Sequence, residues 1–189
     1  MIEIIKVQPS DLTTLLAISK QTFYDAFSHL NDPADIKAYA SSAFSTDKLL
    51  AELTNPFSAF YFATLDGQIV GYIKLNYSSA QTEFQHENAV EVERIYVLAD
   101  QQGKKMGNQL LDFAINSAIE NKLQYIWLGV WDKNFNAIRF YERNGFKIFD
   151  SHPFTLGTDL QTDLLMKREL LPTKSLKKEN HSCREFSAA

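Results

Sequence analysis

The part of this chain best suited to chemistry is a strand that runs through a glycine-bearing turn into a helix. The strand ends with Ile-Tyr-Val at residues 95–97, the turn reads Gln-Gly-Lys-Lys-Met-Gly at residues 102–107, and an amphipathic helical pattern follows. The first N–H groups of a helix have no intrahelical partner and lie at the positive end of its dipole. The turn is therefore a candidate binding site for a pyrophosphate group, and Lys104 and Lys105 add positive charge to it.

A second segment, at residues 134–146, gives the turn more weight than it has alone. It reads Asn-Phe-Asn-Ala-Ile-Arg-Phe-Tyr-Glu-Arg-Asn-Gly-Phe, whereas a glycine pair by itself occurs in many strand–loop–helix units. The turn resembles the acetyl-CoA motif of the GCN5-related N-acetyltransferases (GNAT), Gln/Arg-x-x-Gly-x-Gly/Ala. Residues 134–146 resemble the downstream motif of that family, Asn-x-x-Ala-x-x-x-Tyr-x-x-x-Gly-Phe. Lys105 stands where the first glycine is usual, which limits how closely the backbone approaches a phosphate, although a lysine can contact a phosphate itself.

Three further segments resemble one group within that family, the PaiA-type polyamine acetyltransferases. They read Ala-Tyr-Ala-Ser-Ser-Ala-Phe at residues 38–44, Trp-Leu-Gly-Val-Trp at residues 127–131 and Gln-Thr-Asp-Leu-Leu-Met at residues 161–166. The resemblance spans residues 3–170. It implies an acetyl-CoA-dependent N-acetyltransferase that acts on a primary amine of a small polycation such as spermidine or spermine. Two alternatives stay open: transfer to a protein or peptide amine, and a non-catalytic CoA-binding regulatory module.

The resemblance also implies which residues bind the coenzyme. The turn holds the pyrophosphate, and the backbone of the preceding strand pairs with the pantetheine arm as a missing strand would. Asn134 either bonds the pantetheine or caps the following helix, and Arg143 either reaches a phosphate or is a surface charge. The candidate coenzyme-binding residues are Ile95, Tyr96, Val97, Gln102, Gly103, Lys104, Lys105, Met106, Gly107, Asn134, Asn136 and Arg143.

Tyr141 is the candidate general acid, because the family motif places this tyrosine near the coenzyme sulfur. A phenol titrates near pH 10, so it is protonated and able to donate at neutral pH; the alternative role is packing. Glu91 and Glu93 lie on the same face of a strand, since side chains alternate. They are candidates for relaying a proton from the acceptor ammonium, although ordered waters could do the same. The one cysteine, Cys183, lies beside no motif histidine, so direct attack by the amine is expected rather than a covalent acetyl-enzyme.

The composition limits the classes of function. A chain of 189 residues with 45% hydrophobic residues suits one domain with a full core. The net charge of −4 gives no indication of a nucleic-acid binder. Four histidines are scattered without ligand spacing, so we expect no metal site. No stretch is long and apolar enough to span a membrane, and no secretory leader is visible, so we expect a cytoplasmic protein.

The order of elements predicts an α/β (α+β) GNAT fold, a mixed and mostly antiparallel sheet of six to seven strands with helices on both faces. Residues 1–170 form the N-acetyltransferase domain, residues 171–189 form a polar tail that is expected to be flexible, and a homodimer through an exposed sheet edge is possible. Residues 78–88 and the segment between the last two strands are expected to be loops. The predicted strands cover residues 2–7, 58–65, 68–76, 89–97, 124–130, 146–150 and 162–167. The predicted helices cover about residues 12–29, 33–44, 46–53, 104–121 and 134–144.

Overall fold

The computed structural model describes residues 2–170, and the predicted tail lies outside that part of the chain. Seven strands form a sheet in the order β1-β2-β3-β4-β5-β7-β6. The strands are β1 (Glu3–Lys6), β2 (Ser58–Leu65), β3 (Gln68–Tyr77), β4 (Ala89–Val97), β5 (Tyr125–Trp131), β6 (Lys147–Leu156) and β7 (Asp159–Glu169). The α-helices are α1 (Leu12–Phe27), α2 (Pro33–Ala43), α3 (Thr46–Thr54), α4 (Met106–Glu120) and α5 (Phe135–Arg143).

The sheet is mixed, because β4 and β5 run parallel while every other neighbouring pair runs antiparallel. Helices cover both faces. On one face α4 and α5 pack with one side of the central strands, and on the other α1 and α3 pack over Phe60, Phe62 and Tyr72. Alternation along β2 explains this division, since Ala63 belongs to the first core and Phe62 to the second. The predicted fold class is therefore confirmed.

Two of the helices begin with the caps that their sequences predict. The Asp32 side chain accepts a hydrogen bond from the Ala34 N–H at the start of α2, where Pro33 occupies the first helical position. The Ser45 hydroxyl accepts one from the Lys48 N–H at the start of α3. These caps hold α2 and α3 on the face of the sheet that carries most of the charged site described below.

The prediction of a loop between the last two strands is wrong. The strands β6 and β7 continue toward one another and form a long hairpin, whose turn lies at Gly157 (φ +61°) and Thr158. The prediction failed because β6 is an edge strand that buries few side chains and contains Pro153, which an edge strand tolerates but a central strand does not. Ile148 and Phe149 on this edge are 51% and 38% exposed. A homodimer through this edge stays a prediction.

The helix α4 begins at Met106, two residues later than predicted. Lys105 has φ +63° and is the residue that precedes the helix, so the α-helical backbone cannot include it. Asp66 and Gly67 form the two-residue hairpin turn between β2 and β3, where both have positive φ (51° and 76°). Gly145, with φ +84°, follows the end of α5.

Candidate active site

The two central strands β4 and β5 separate partway along their length. They pair over only three residue pairs, the last of which joins Glu91 to Trp127. In contrast, β4 stays paired with β3 as far as Val97, and β5 with β7 as far as Trp131. A gap in the sheet therefore opens between the carboxyl halves of β4 and β5.

The backbone of β4 directs Ile95 and Val97 toward this gap. The Leu98 N–H donates to the Val70 carbonyl oxygen of β3 at 2.9 Å, and in an antiparallel pair successive residues alternate between bonding to the partner strand and bonding away from it. Tyr96 therefore faces β3, whereas Ile95 and Val97 face β5, where no strand of the described chain pairs with them. The gap has the backbone groups that an extended pantetheine arm would need.

The turn after β4 has the geometry of an anion site. Gly103 and Lys105 both have left-handed backbone (φ +76° and +63°), and the first hydrogen bond of α4 runs from the Gln109 N–H to the Lys105 carbonyl at 3.2 Å. The three N–H groups before Gln109 lie in the first turn of the helix and have no backbone partner in the described chain. The Gln102 side chain donates to the Val97 carbonyl at 3.2 Å and so fixes the turn to the end of β4.

The two lysines of the turn differ. Lys104 reaches the Gln101 side chain at 3.0 Å. Lys105 adopts a conformation that costs a residue with a side chain about 1–2 kcal/mol. Lys105 therefore holds a backbone conformation that glycine adopts without this cost.

The α5 helix lies beside this turn. Asn134 is its N-cap, since its Oδ1 accepts from the Ala137 N–H at 3.2 Å, which confirms the capping alternative. Asn136 accepts from the Arg139 side chain at 2.8 Å, and Arg143 is exposed. A contact of Asn134, Asn136 or Arg143 with the coenzyme stays a prediction.

Tyr141 is buried, with 8% of its surface exposed, and its ring packs against Phe140 and Phe146. Burial raises its pKa well above the ordinary value for a phenol. Tyr141 also contributes to the raised pKa of Tyr96 on β4, after burial, Tyr72 and Tyr39, so it lies within electrostatic range of that strand. The phenol stays protonated at neutral pH, as a proton donor requires.

Glu91 and Glu93 share one hydrogen-bond donor, as the expected placement on one face would allow. The Asn76 amide nitrogen donates to Glu91 at 3.1 Å and to Glu93 at 2.5 Å. Glu91 also accepts from the N–H of Thr82 at 2.9 Å and from its hydroxyl at 2.6 Å. Burial raises the pKa of Glu91, and these hydrogen bonds oppose the rise. Glu91 therefore anchors the loop after β3 to the sheet.

Glu93 belongs to a buried group of four charges. A β-bulge in β4 opposite Lys74 places Glu93 and Arg94 on the same face. Lys74 contacts Glu52 at 3.0 Å and Glu93 at 2.5 Å, while Arg94 makes a bidentate pair with Glu52 and contacts Glu93 at 2.9 Å. Burial alone would raise the pKa of Glu93, but Arg94 and Lys74 lower it below the ordinary value. Neither cation could be identified from the sequence, because their shared partner Glu52 is distant along the chain.

An open space lies over Gly129 in the middle of β5. Its neighbours Leu128 and Val130 are 1% and 6% exposed, yet Gly129 itself is exposed. A Cβ added there would meet only Leu165 Cδ2 at 3.7 Å and Asp163 Oδ2 at 3.9 Å. The space therefore reaches the sheet beside the gap and ends at the Asp163 carboxylate, which the sequence analysis missed.

Asp163 lies among other charged groups. It is paired in register with Trp131 of β5 and His152 of β6, so all three side chains lie on one face. Burial raises the pKa of Asp163, His152 opposes the rise, and Asp132 and Glu83 add to it. The only signal in the sequence was an acid directly before the apolar run at residues 164–166.

Two buried polar atoms beside Asp163 have no partner among the described residues. They are the Trp131 indole nitrogen and Asp132 Oδ1. Trp131 is 9% exposed, and an unpaired buried donor carries a free-energy cost of about 1–3 kcal/mol. Such atoms are expected where a ligand or water completes the hydrogen bonding.

The start of α2 is fastened to the β6–β7 hairpin. The Asp35 carboxylate accepts from the Thr158 N–H at 2.7 Å and from its hydroxyl at 3.1 Å, and Gln161 donates to Asn31 at 2.7 Å. We call these two contacts, Asp35–Thr158 and Asn31–Gln161, the clasp. Tyr39 on α2 has its pKa raised by burial first; Arg94 opposes the rise, and Glu93 and Asp163 add to it. Charges of both β4 and β7 therefore act on the Tyr39 hydroxyl.

Two surface hollows lie elsewhere. One, of about 630 Å³, lies between β1 and α4, and another, of about 460 Å³, lies outside β6 and β7. Both lack the turn and the gap. Within residues 2–170 no group of three or more His, Cys, Asp or Glu side chains is arranged to hold a metal ion. In the same range no helix is long and apolar enough to cross a membrane.

Comparisons with known proteins agree with this geometry. Residues 17–146 match the family model described as the acetyltransferase (GNAT) family. The chain is 40% identical over 170 residues to an uncharacterized N-acetyltransferase in the pepI 3′ region of Lactobacillus delbrueckii subsp. lactis, covering 90% of this chain and 98% of that protein.

Two further likenesses involve Thermoplasma acidophilum. The chain is 27% identical over 154 residues to its spermidine N(1)-acetyltransferase, covering 79% of this chain and 91% of that protein. A crystal structure of the PaiA N-acetyltransferase from the same organism, in complex with coenzyme A, superposes with a TM-score of 0.73 at 25% identity, covering 89% of this chain and 99% of that one. The chain therefore belongs to the acetyltransferase (GNAT) family and is an N-acetyltransferase that uses acetyl-CoA as its acetyl donor.

Proposed function

We propose that the acceptor is a primary amine of a small aliphatic polyamine such as spermidine or spermine. The observation that carries the proposal is the space over Gly129, where a carboxylate and an aromatic ring meet. Asp163 ends it, and Trp131 lies on the same face two residues further along β5. Tyr39 of α2 is near enough to Asp163 for that carboxylate to raise its pKa. A chain with several ammonium groups loses hydration when it binds, and carboxylates and ring faces offset that cost. The likeness to a spermidine N(1)-acetyltransferase supports the same acceptor.

The clasp favours a small acceptor over a protein or peptide amine. A polypeptide acceptor needs an open groove in which residues on both sides of the reacting amine can lie. Here Asp35 of α2 and Asn31, which precedes that helix, connect this part of the chain to the β6–β7 hairpin. We therefore expect the acceptor to enter end-on, which suits a thin flexible amine.

We place the coenzyme in the gap and on the turn. The pantetheine arm pairs with the backbone of Ile95 and Val97, and the pyrophosphate lies on the free N–H groups at the start of α4. Lys104 and Lys105 neutralise part of its charge. No residue arrangement within the described chain requires a metal for this step.

The chemistry follows as direct attack in a ternary complex. The neutral acceptor nitrogen attacks the thioester carbon, an N–H of β4 at the gap donates to the developing oxyanion, and the carbon–sulfur bond breaks. Tyr141 donates its proton to the departing thiolate. The N-acetylated amine and coenzyme A then leave the two ends of the site.

The acceptor is tested with a panel of amines. Purified protein, acetyl-CoA and each candidate amine are mixed, and thiol release gives kcat/KM. Spermidine or spermine should exceed lysine peptides and aminoglycosides, and KM for the polyamine should rise with salt because ion pairs are screened. A clear preference for peptides, or a polyamine KM that is insensitive to salt, would contradict the proposal of a polyamine acceptor. Neither result would contradict the acetyltransferase activity.

A further inference from the structure

The acceptor ammonium must lose a proton before its nitrogen can attack, and the two glutamates of β4 are poorly placed to receive it. Glu91 is 3% exposed and already accepts hydrogen bonds from Asn76 and from both the N–H and the hydroxyl of Thr82. Glu93 is held by Asn76 and by two cations that stabilise its ionised form. A carboxylate stabilised in this way binds a further proton weakly.

Asp163 differs from both glutamates in its surroundings. Among the described residues no donor forms a hydrogen bond with its carboxylate, and it is half-buried rather than enclosed. Its Oδ2 lies 3.9 Å from the position that a Cβ on Gly129 would take. That position is open, is accessible to solvent, and lies beside the gap in which we place the thioester.

The groups around Asp163 are arranged to leave it available. His152 of β6 lies next to it in register, and its Nδ1 is 3.5 Å from Glu83 of the loop after β3. Asp132 follows β5, and Tyr39 lies across the space on α2. Burial, Asp132 and Glu83 make Asp163 a stronger base than an exposed aspartate, while His152 opposes this effect.

We propose that Asp163 is the general base that takes the proton from the acceptor ammonium, either directly or through one water in the space over Gly129. The proposal rests on the proposed function only in requiring an amine acceptor that arrives charged. The Trp131 indole nitrogen, which has no hydrogen-bond partner among the described residues, belongs to a side chain on the same face of the sheet.

The proton balance of the step is complete. An ammonium that becomes an amide loses two protons. The first passes to Asp163, which releases it to solvent after the reaction. The second leaves the nitrogen of the tetrahedral adduct, and the coenzyme sulfur gains one from Tyr141, which recovers its own from the adduct through water. One proton therefore ends on the thiol and one in solvent, with no oxidant or further reactant.

The test compares Asp163→Asn with Glu93→Gln, and uses Glu169→Gln as a control that removes a charge from an exposed position of the same strand. Each variant is measured with the best primary amine of the panel over a range of pH, and with an amine that is already neutral at pH 7, such as 2,2,2-trifluoroethylamine. Coenzyme affinity is measured by calorimetry to establish that the coenzyme site is intact. Asp163→Glu, which keeps a carboxylate, serves as a second variant.

For Asp163→Asn we expect kcat/KM at pH 7 to fall by about 10²–10⁴, with coenzyme affinity unchanged. The loss should shrink as pH rises and nearly vanish with the neutral amine, and Asp163→Glu should recover part of the activity. A loss of less than about threefold would overturn the proposal. So would a loss that is the same at every pH and for both amines, because that pattern denotes binding alone. If the unaltered protein acetylates no amine at all, the proposed function fails instead.

Discussion

Asp35 and Gly157 fit together so closely that a Cβ added to Gly157 would lie 2.2 Å from Asp35 Oδ1. The absence of a side chain at Gly157 is therefore what allows the Asp35 carboxylate to reach Thr158. We expect Gly157→Ala to break this half of the clasp and to raise KM for the acceptor several-fold, with coenzyme affinity unchanged. Steady-state kinetics with each substrate varied in turn measures the effect.

Gly67→Ala is the matched control for that change. Gly67 also has positive φ (76°) and lies in a hairpin turn, but a Cβ there would meet nothing within 4 Å. Gly67→Ala should lower the free energy of unfolding by about 1 kcal/mol and leave KM for the acceptor and for the coenzyme unchanged. If the two variants have the same kinetics, the clasp has no part in acceptor binding.

Gly107→Asp should abolish coenzyme binding. A carboxylate in the first turn of α4 would stand against a phosphate, and like charges brought together cost several kcal/mol. Gly107→Ala is the control, since its Cβ would make an ordinary contact with the Phe140 ring at 3.7 Å. Calorimetric titration with a chelator present measures both. Binding by Gly107→Asp within tenfold of the unaltered protein would place the pyrophosphate elsewhere.

Tyr141→Phe should lower kcat by about 10²–10⁴ and leave coenzyme affinity within a few-fold, because a general acid acts on the chemical step alone. Burial raises the pKa of Tyr141, so the activity that depends on its proton should persist to pH values well above 10. Thiol release against pH measures this. Unchanged turnover with a good amine would leave Tyr141 a packing residue, with water protonating the sulfur.

Lys105→Gly should relieve backbone strain in the turn. Lys105 has φ +63°, and glycine adopts that conformation without cost, so the free energy of unfolding should rise by up to about 1 kcal/mol after the entropy of glycine is subtracted. Lys104→Gly removes the same charge without relieving positive φ and should destabilise. Denaturant unfolding compares the two, and similar losses would show that the strain is negligible.

Glu93→Gln should make the free energy of unfolding less dependent on pH in the acidic range. Because the pKa of Glu93 is lowered below 4.5 in the folded protein, its carboxylate stabilises the fold above that value, and the contribution is lost as pH falls through the folded pKa. At pH 7 the loss should be smaller than the roughly 3–5 kcal/mol typical of broken buried pairs, because Glu52 still pairs with Lys74 and Arg94. Free energies of unfolding from pH 7 to pH 3 test both statements.

Elements with strong periodicity and clear ends could be predicted from sequence. The bounds of β2 and β4 agree with the prediction to the residue, since β-branched and aromatic residues alternate there and turn residues follow. The β6–β7 hairpin was not predicted, because an edge strand lacks an apolar face. The positive φ of Lys105 was not predicted, because the sequence preference at such a position is for glycine and tertiary context overrode it.

The site was only partly predictable for a related reason. The turn and the α5 segment carry local motifs, so their residues could be identified by spacing. Lys74, Arg94 and Asp163 act through partners that are distant in sequence, such as Glu52 for both cations. No local pattern distinguishes a buried ion that is paired across a sheet from an exposed charge on a strand.

The gap between β4 and β5 has a mechanical consequence. The sheet consists of two blocks, one of four strands and one of three, which are joined along β4 and β5 at only three residue pairs near one end. We expect such an arrangement to act as a hinge, and in the proposed complex the coenzyme arm bridges its open end. Coenzyme binding should therefore stiffen the whole sheet, so that slow amide exchange spreads from the hinge along both inner strands, and product release should require the blocks to loosen again.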